Sequence, residues 1–152
     1  MTERKDNIEN TQIPEIEETD EEKKLTIGEL KKINFLWALN NLRGKSFYNK
    51  STNKEISISR DGLGEWKTKT RSKEQVISIK ILGQLLENAI LKNRKQHIPV
   101  DSNIIEVLYF WQDCKVNEKM YTVVITVKVI KSEKRYKYYH HYLDDYKLNP
   151  KI

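Results

Sequence analysis

Between Ile104 and Leu143 the chain reads as three consecutive extended segments joined by short polar turns, and this run limits the fold more tightly than anything else in the sequence. In the middle segment Tyr121, Val123, Ile125, Val127 and Val129 alternate with Thr122, Val124, Thr126 and Lys128. That period of two belongs to a strand whose two faces meet different environments. The first segment, Ile104 to Gln112, is apolar on both sides and predicts a central strand. The last runs from Arg135 to Leu143. The turns, Lys115 to Glu118 and Ser132 to Lys134, are too short for a crossover, so the three segments form an antiparallel meander.

Helical spacing precedes the meander. Thr26 followed three residues later by Glu29 is a capping box, and Ile27, Leu30, Ile33, Phe35, Leu36, Trp37 and Leu39 predict a helix over about 26–41. Gly44 is placed to end it. Lys45 to Tyr48 and Glu55 to Ser59 read as short extended pieces around a polar turn at Asn49 to Lys54. Asp61-Gly62-Leu63-Gly64 breaks the pattern, and Glu65 to Arg71 reads as extended and basic. Ser72 to Gln75 is a second capping-box spacing, opening a helix over about 73–92 with a broad apolar face; Pro99 marks the following loop. The order of helix, two short strands, helix and three strands predicts an α+β fold, its helices packed on one face of a mostly antiparallel sheet.

Charge is divided unevenly along the 152 residues. Residues 1–25 hold four bases and nine acids, a net of −5, whereas the remainder holds 24 bases and 13 acids, a net of +11. The first segment is too poor in apolar residues to offset the entropy of ordering and is expected to be a disordered acidic tail, with one folded domain over 26–152. So basic a domain attracts a phosphate backbone, and the expected partner is RNA. The tail can act as a solubilising leader, as a competitor for the basic face or as a docking arm. The single cysteine, Cys114, excludes an intrachain disulfide and reads as a small apolar side chain in a strand. No apolar run reaches the roughly 18 residues of a membrane span, and Met1 to Asn10 has no apolar signal core. A cytoplasmic protein without membrane association is expected, and its oligomeric state stays open.

Two clusters carry the chemistry. The last strand holds Tyr136, Tyr138, Tyr139, His140, His141 and Tyr142. With strict alternation Tyr136, Tyr138, His140 and Tyr142 share one side, and Arg135, Lys137, Tyr139 and His141 the other. The second side is more polar, so His141 is expected to be exposed. Ahead of the second helix, Lys67, Lys69 and Arg71 would share one side of an extended segment and Thr68 and Thr70 the other, with Ser72 at a helix N-terminus suited to phosphate. RNA cleavage without a metal needs a base for the ribose 2′-OH, an acid for the leaving 5′ oxygen and cations for the charge on the phosphate. His141 or His140 suits the proton transfers, and Lys67, Lys69 and Arg71 suit the phosphate. Thr70 would orient the phosphate, Tyr139 would stack a base, and Arg60, Lys137 and Ser72 would extend the RNA contact. His97 reads as a bystander. No metal ligand cluster, phosphate-binding loop or nucleophile elbow is present, and no cofactor is implied.

Several pieces, in order, resemble the barnase-like nuclease domains of phage and mobile-element polyvalent proteins. They are Gly44 to Asn49, Ile56 to Gly62, Leu82 to Ala89 and Tyr139 to Leu143, and the stretch they mark, from about Lys45 to Leu143, covers about two thirds of the chain. The resemblance implies a metal-independent ribonuclease fold, often deployed as a toxin. Together with the charge and the His-Tyr strand it leads to the expectation of a nuclease acting on tRNA or mRNA, as a toxin or in conflict between mobile elements, which an inhibitor or immunity protein can meet. It matches His141 to the family's histidine after the tyrosine, and Lys67 to Arg71 to its basic segment before the helix. That segment here lacks the histidine some relatives carry. The alternative is a non-catalytic module binding nucleic acid or protein on the same fold.

Overall fold

A computed structural model describes residues 13–96, 103–132 and 135–146. His97, Pro99, the first twelve residues of the expected tail, and Glu133 and Lys134 of the expected turn lie outside the described residues. The elements in chain order are β1 (Glu15–Ile16), α1 (Asp20–Lys23), α2 (Ile27–Asn41), β2 (Ser46–Asn49), β3 (Lys54–Ser57), α3 (Arg60–Lys69), α4 (Lys73–Ile77), a 3-10 turn (Ser78–Ile81), α5 (Leu82–Asn88), β4 (Ile90–Gln96), β5 (Ile104–Val116), β6 (Lys119–Ile130) and β7 (Arg135–Asp145). The strands form one mixed sheet in the order β1-β5-β6-β7-β3-β2, with β4 also paired to β5. The meander β5-β6-β7 is antiparallel, while β1 joins β5 and β3 joins β7 in parallel. The fold is therefore α+β, as the alternation of patterns predicts.

One face of the sheet carries the helices. Val123, Ile125 and Val127 of β6 and Leu108 and Phe110 of β5 are fully buried against Leu30 of α2, Leu63 and Trp66 of α3, Val76 and Ile77 of α4, and Leu82, Leu85 and Leu86 of α5. The predicted cap of α2 is present: the Thr26 hydroxyl accepts from Glu29 N–H, and the Glu29 carboxylate accepts from Thr26 N–H. The β5–β6 turn falls at Asn117 and Glu118, both at positive φ (50° and 66°), the primed geometry that matches strand twist. Gly44, at φ +84°, turns the chain after α2 and donates its N–H to the Ile58 carbonyl.

Four expectations are corrected. The acidic segment is not unstructured throughout to residue 25: β1 pairs with Lys115 and Val116 of β5, and α1 is capped by Thr19. Residues 65–71 are not extended; Arg60–Lys69 is helical, capped by the Ser59 hydroxyl accepting from Gly62 N–H. Leu63, Trp66 and Thr70, all buried, recur at helical spacing there, and this outweighs the two glycines. The apolar run after Ser72 is not one helix to residue 92. It passes through the 3-10 turn at Ser78–Ile81 and ends at Asn88, and Ile90–Gln96 forms β4 on the edge of β5. Finally, the alternation along β7 is broken. Tyr138 pairs with Val127 and His140 with Thr126, so Tyr139 is an extra residue in a β-bulge.

Candidate functional site

The bulge decides which histidine meets solvent. Because one residue is inserted, Tyr138 and His141 both turn to the helix side, and His140 turns to the open side. His141, expected to be exposed, is fully buried. Its Nδ1 lies 2.7 Å from the Tyr138 hydroxyl and its Nε2 lies 2.7 Å from the Ser78 hydroxyl. The imidazole stacks near Trp66, with ring centroids 6.5 Å apart. The Gln75 amide donates to the His141 carbonyl and to the Thr70 hydroxyl, which itself donates to the Trp66 carbonyl. Burial, and secondarily His140, pushes the His141 imidazole down to about 3. A neutral ring saturated by two hydroxyls, with no exposure, belongs to the core. Thr70, fully buried in the same network, is likewise turned away from solvent.

The helical form of residues 60–69 scatters the basic residues that an extended segment would have aligned, because residues two apart on a helix point in widely different directions. Lys67 lies over the Phe35 ring at 4.7 Å, and Lys69 over the Tyr139 ring at 4.8 Å. Arg71 is exposed and turns its guanidinium back to the Thr68 and Thr70 carbonyls. The Ser72 hydroxyl accepts from Gln75 N–H as the N-cap of α4.

What the fold gathers instead is a cluster around the bulge. Two ammonium groups lie over the Tyr139 ring, Lys69 from α3 at 4.8 Å and Lys128 from β6 at 3.4 Å from the centroid. Glu65, one helical turn before Lys69, pairs with it at 3.6 Å. A hydrogen bond from Tyr139 holds the Glu65 carboxyl below the usual range, reinforced by Lys69 and Lys128. His140 is half-buried, its ring centroid 5.3 Å from that of Tyr139. Burial lowers its pKa; Lys69 and Lys128 lower it further, and Glu65 opposes them. Its Nδ1 is shielded from solvent and has no hydrogen-bond partner. A groove of about 510 Å³ runs along this cluster, lined by Phe35, Arg60, Asp61, Gly64, Glu65, Thr68, Lys128 and Tyr139. An adjoining cavity of about 190 Å³ is lined by Ser59, Asp61, Lys128, Ile130, Lys137, Tyr138 and Tyr139.

Of the residues singled out from sequence, His140, Lys69, Tyr139, Arg60 and Lys137 therefore converge, Lys67 stands beside them over Phe35, and His141 and Thr70 go to the core. Two members were missed, Glu65 and Lys128. The signal for Glu65 was the Glu65–Lys69 spacing of four, legible only once residues 60–69 are read as a helix. Lys128 carried a weaker signal: a charged residue ending an otherwise uncharged alternation on β6.

A family model for the large polyvalent protein-associated domain 3 matches residues 26–149. The chain belongs to that family. The expected membership among polyvalent-protein domains thus holds. No curated protein and no solved structure matches the chain. No helix among the described residues is long and apolar enough to cross a membrane.

Proposed function

We propose that this polyvalent-protein domain binds RNA in the groove beside the β7 bulge and cleaves it without a metal ion. The supporting observation is the contact of both the Lys69 and the Lys128 ammonium groups with the Tyr139 ring, with Glu65 and His140 beside it. Two ammonium groups gathered on one aromatic ring present positive charge to a phosphodiester beside an aromatic surface for its base. The ionised Glu65 carboxylate is the candidate to take the 2′-OH proton. The 2′ oxygen then attacks phosphorus, closing a 2′,3′-cyclic phosphate, and the 5′ oxygen leaves with a proton from His140. His140 is short of that proton in the free protein because burial and the two lysines suppress it. A bound phosphate offsets the lysine charge and favours the imidazolium. Lys69 and Lys128 stabilise the charge that grows on the phosphoryl oxygens. Arg60 and Lys137 lengthen the basic groove. A chain with these properties fits a toxin or conflict nuclease acting on tRNA or mRNA in the cytoplasm, with an inhibitor protein as its natural counterpart.

A second reading, a non-catalytic RNA-binding module, is favoured by the placement of His141 in the core, which leaves His140, beside Tyr139, as the histidine near the groove among the described residues. One experiment separates them: incubation of end-labelled cellular RNA in EDTA with the wild type, His140→Ala, Glu65→Gln and His141→Gln. Fragments ending in cyclic phosphate from the wild type, and none from His140→Ala or Glu65→Gln, are expected. Cleavage by His140→Ala refutes the acid assignment. Intact RNA in every lane, with salt-sensitive binding retained, selects the binding module.

A further inference from the structure

The helix-free face of the sheet has an ordered composition. Strand register places its side chains in transverse rows. Asp113, Thr122 and Asp144 form one row; Trp111, Val124 and Tyr142, with Ile90 of β4, form the next. Asn93, Tyr109, Thr126 and His140 follow, and then Lys95, Val107, Lys128 and Lys137. Neighbouring strands lie roughly 4.8 Å apart and successive rows roughly 6.8 Å apart along the strands. The face therefore grades from acidic, through aromatic, to basic. The basic row contains Lys128, the same lysine that packs on Tyr139. Between the aromatic and basic rows lies a cleft of about 210 Å³ lined by Lys92, Asn93, Lys95, Tyr109, Trp111, Val124 and Tyr142. Lys95 lies 5.6 Å over the Tyr109 ring, and Tyr142 is 42% exposed, so an aromatic surface is open to a ligand here.

We infer that this cleft is a stacking subsite for an unpaired base of RNA whose backbone lies along Lys95, Lys128 and Lys137. The inference rests on RNA being the ligand of the bulge groove, and it names the substrate class as single-stranded. The gradient sets the orientation. Phosphates are drawn to the lysine row and kept off the Asp113–Asp144 row, so the base is directed onto Trp111 and Tyr142. His140 lies in the row between, next to Tyr142, with ring centroids 6.3 Å apart. A base seated on the aromatic row therefore brings its own ribose and phosphate to His140. A duplex keeps its bases stacked inside and cannot offer them to this cleft.

The test uses the full chain and a fluorescent 2′-O-methyl oligouridylate, which cannot be cleaved through the 2′ oxygen, free or paired with its complement. The wild type is expected to bind the single strand about tenfold or more tightly than the duplex. The Trp111→Leu/Tyr142→Leu double variant keeps apolar bulk and removes the rings. It should lose about five- to a hundredfold in single-strand affinity, the range of one lost base stack, with duplex affinity and its salt slope unchanged. Equal affinity for both forms, or a variant indistinguishable from wild type, overturns the subsite and leaves groove binding standing. No binding to either form overturns both readings. A measurement on the unsubstituted chain guards against a variant that fails to fold. Photocrosslinking of the same strand carrying 5-bromouridine should label peptides containing Trp111 and Tyr142, and labelling confined to other segments overturns the subsite.

Discussion

The burial of His141 makes a prediction in which sign and size both follow from the structure. The imidazole is neutral in the folded chain, its pKa pushed by burial to about 3, whereas in the unfolded chain it returns to 6.5. Below 6.5 the unfolded state binds a proton that the folded state refuses, so stability is full above pH 6.5 and falls progressively as pH drops towards 3. Between 6.5 and pH 5 lie about 1.5 pH units, and at about 1.36 kcal/mol per unit the loss is about 2 kcal/mol. This figure depends little on where the folded value lies, provided it is well below 5. Urea unfolding followed by tryptophan fluorescence at about pH 7.5 and pH 5, on the wild type and on His141→Gln, isolates the effect, because carboxylates and His140 titrate in both proteins. The wild type should lose about 2 kcal/mol more than the variant over that interval. The variant should also be less stable at neutral pH, since the Tyr138 and Ser78 hydroxyls lose well-placed partners in a buried site. Identical pH dependence in the two proteins would refute the claim that His141 is a buried neutral group and would reopen it as a surface acid or base.

Two further outcomes are expected. A Cβ on Gly62 would run into the carbonyl oxygen of Tyr138, where α3 crosses β7 beside the bulge, whereas a Cβ on Gly64 meets nothing within 4 Å. Gly62→Ala should therefore lose at least about 2 kcal/mol in denaturant unfolding, while Gly64→Ala should be neutral or gain up to about 1 kcal/mol from helix propensity; equal effects would refute the close approach. For RNA binding measured against salt, Lys69→Ala and Lys128→Ala should each reduce the slope of log K against log salt by about 0.7, the value for one single-strand phosphate contact. An unchanged slope would remove these lysines from the phosphate path.

The sequence by itself determined the architecture wherever local periodicity and capping act alone. The meander, the cap at Thr26, the two-faced alternation of β6 and the α+β order all follow from spacings of two or of three to four, and each recurs in the folded chain. The +11 charge of residues 26–152 likewise needs no coordinates. Residues 60–69 lay at the limit of legibility. Two glycines and alternating Lys and Thr mimic an extended segment, and the cap at Ser59 with buried Leu63 and Trp66 prevails through tertiary packing. Short edge strands such as β1 and β4 carry little pattern of their own and exist because β5 offers them backbone partners. The site itself was decided only by tertiary structure. One extra residue at Tyr139 exchanges the environments of two adjacent histidines, sending His141 into the core and leaving His140 half-buried beside Tyr139 on the opposite face. A bulge is a property of the pairing between two strands, so no alternation read along one strand can reveal it. Lys69 and Lys128, 59 positions apart in sequence, meet on Tyr139 because α3 packs across the strand that carries the bulge.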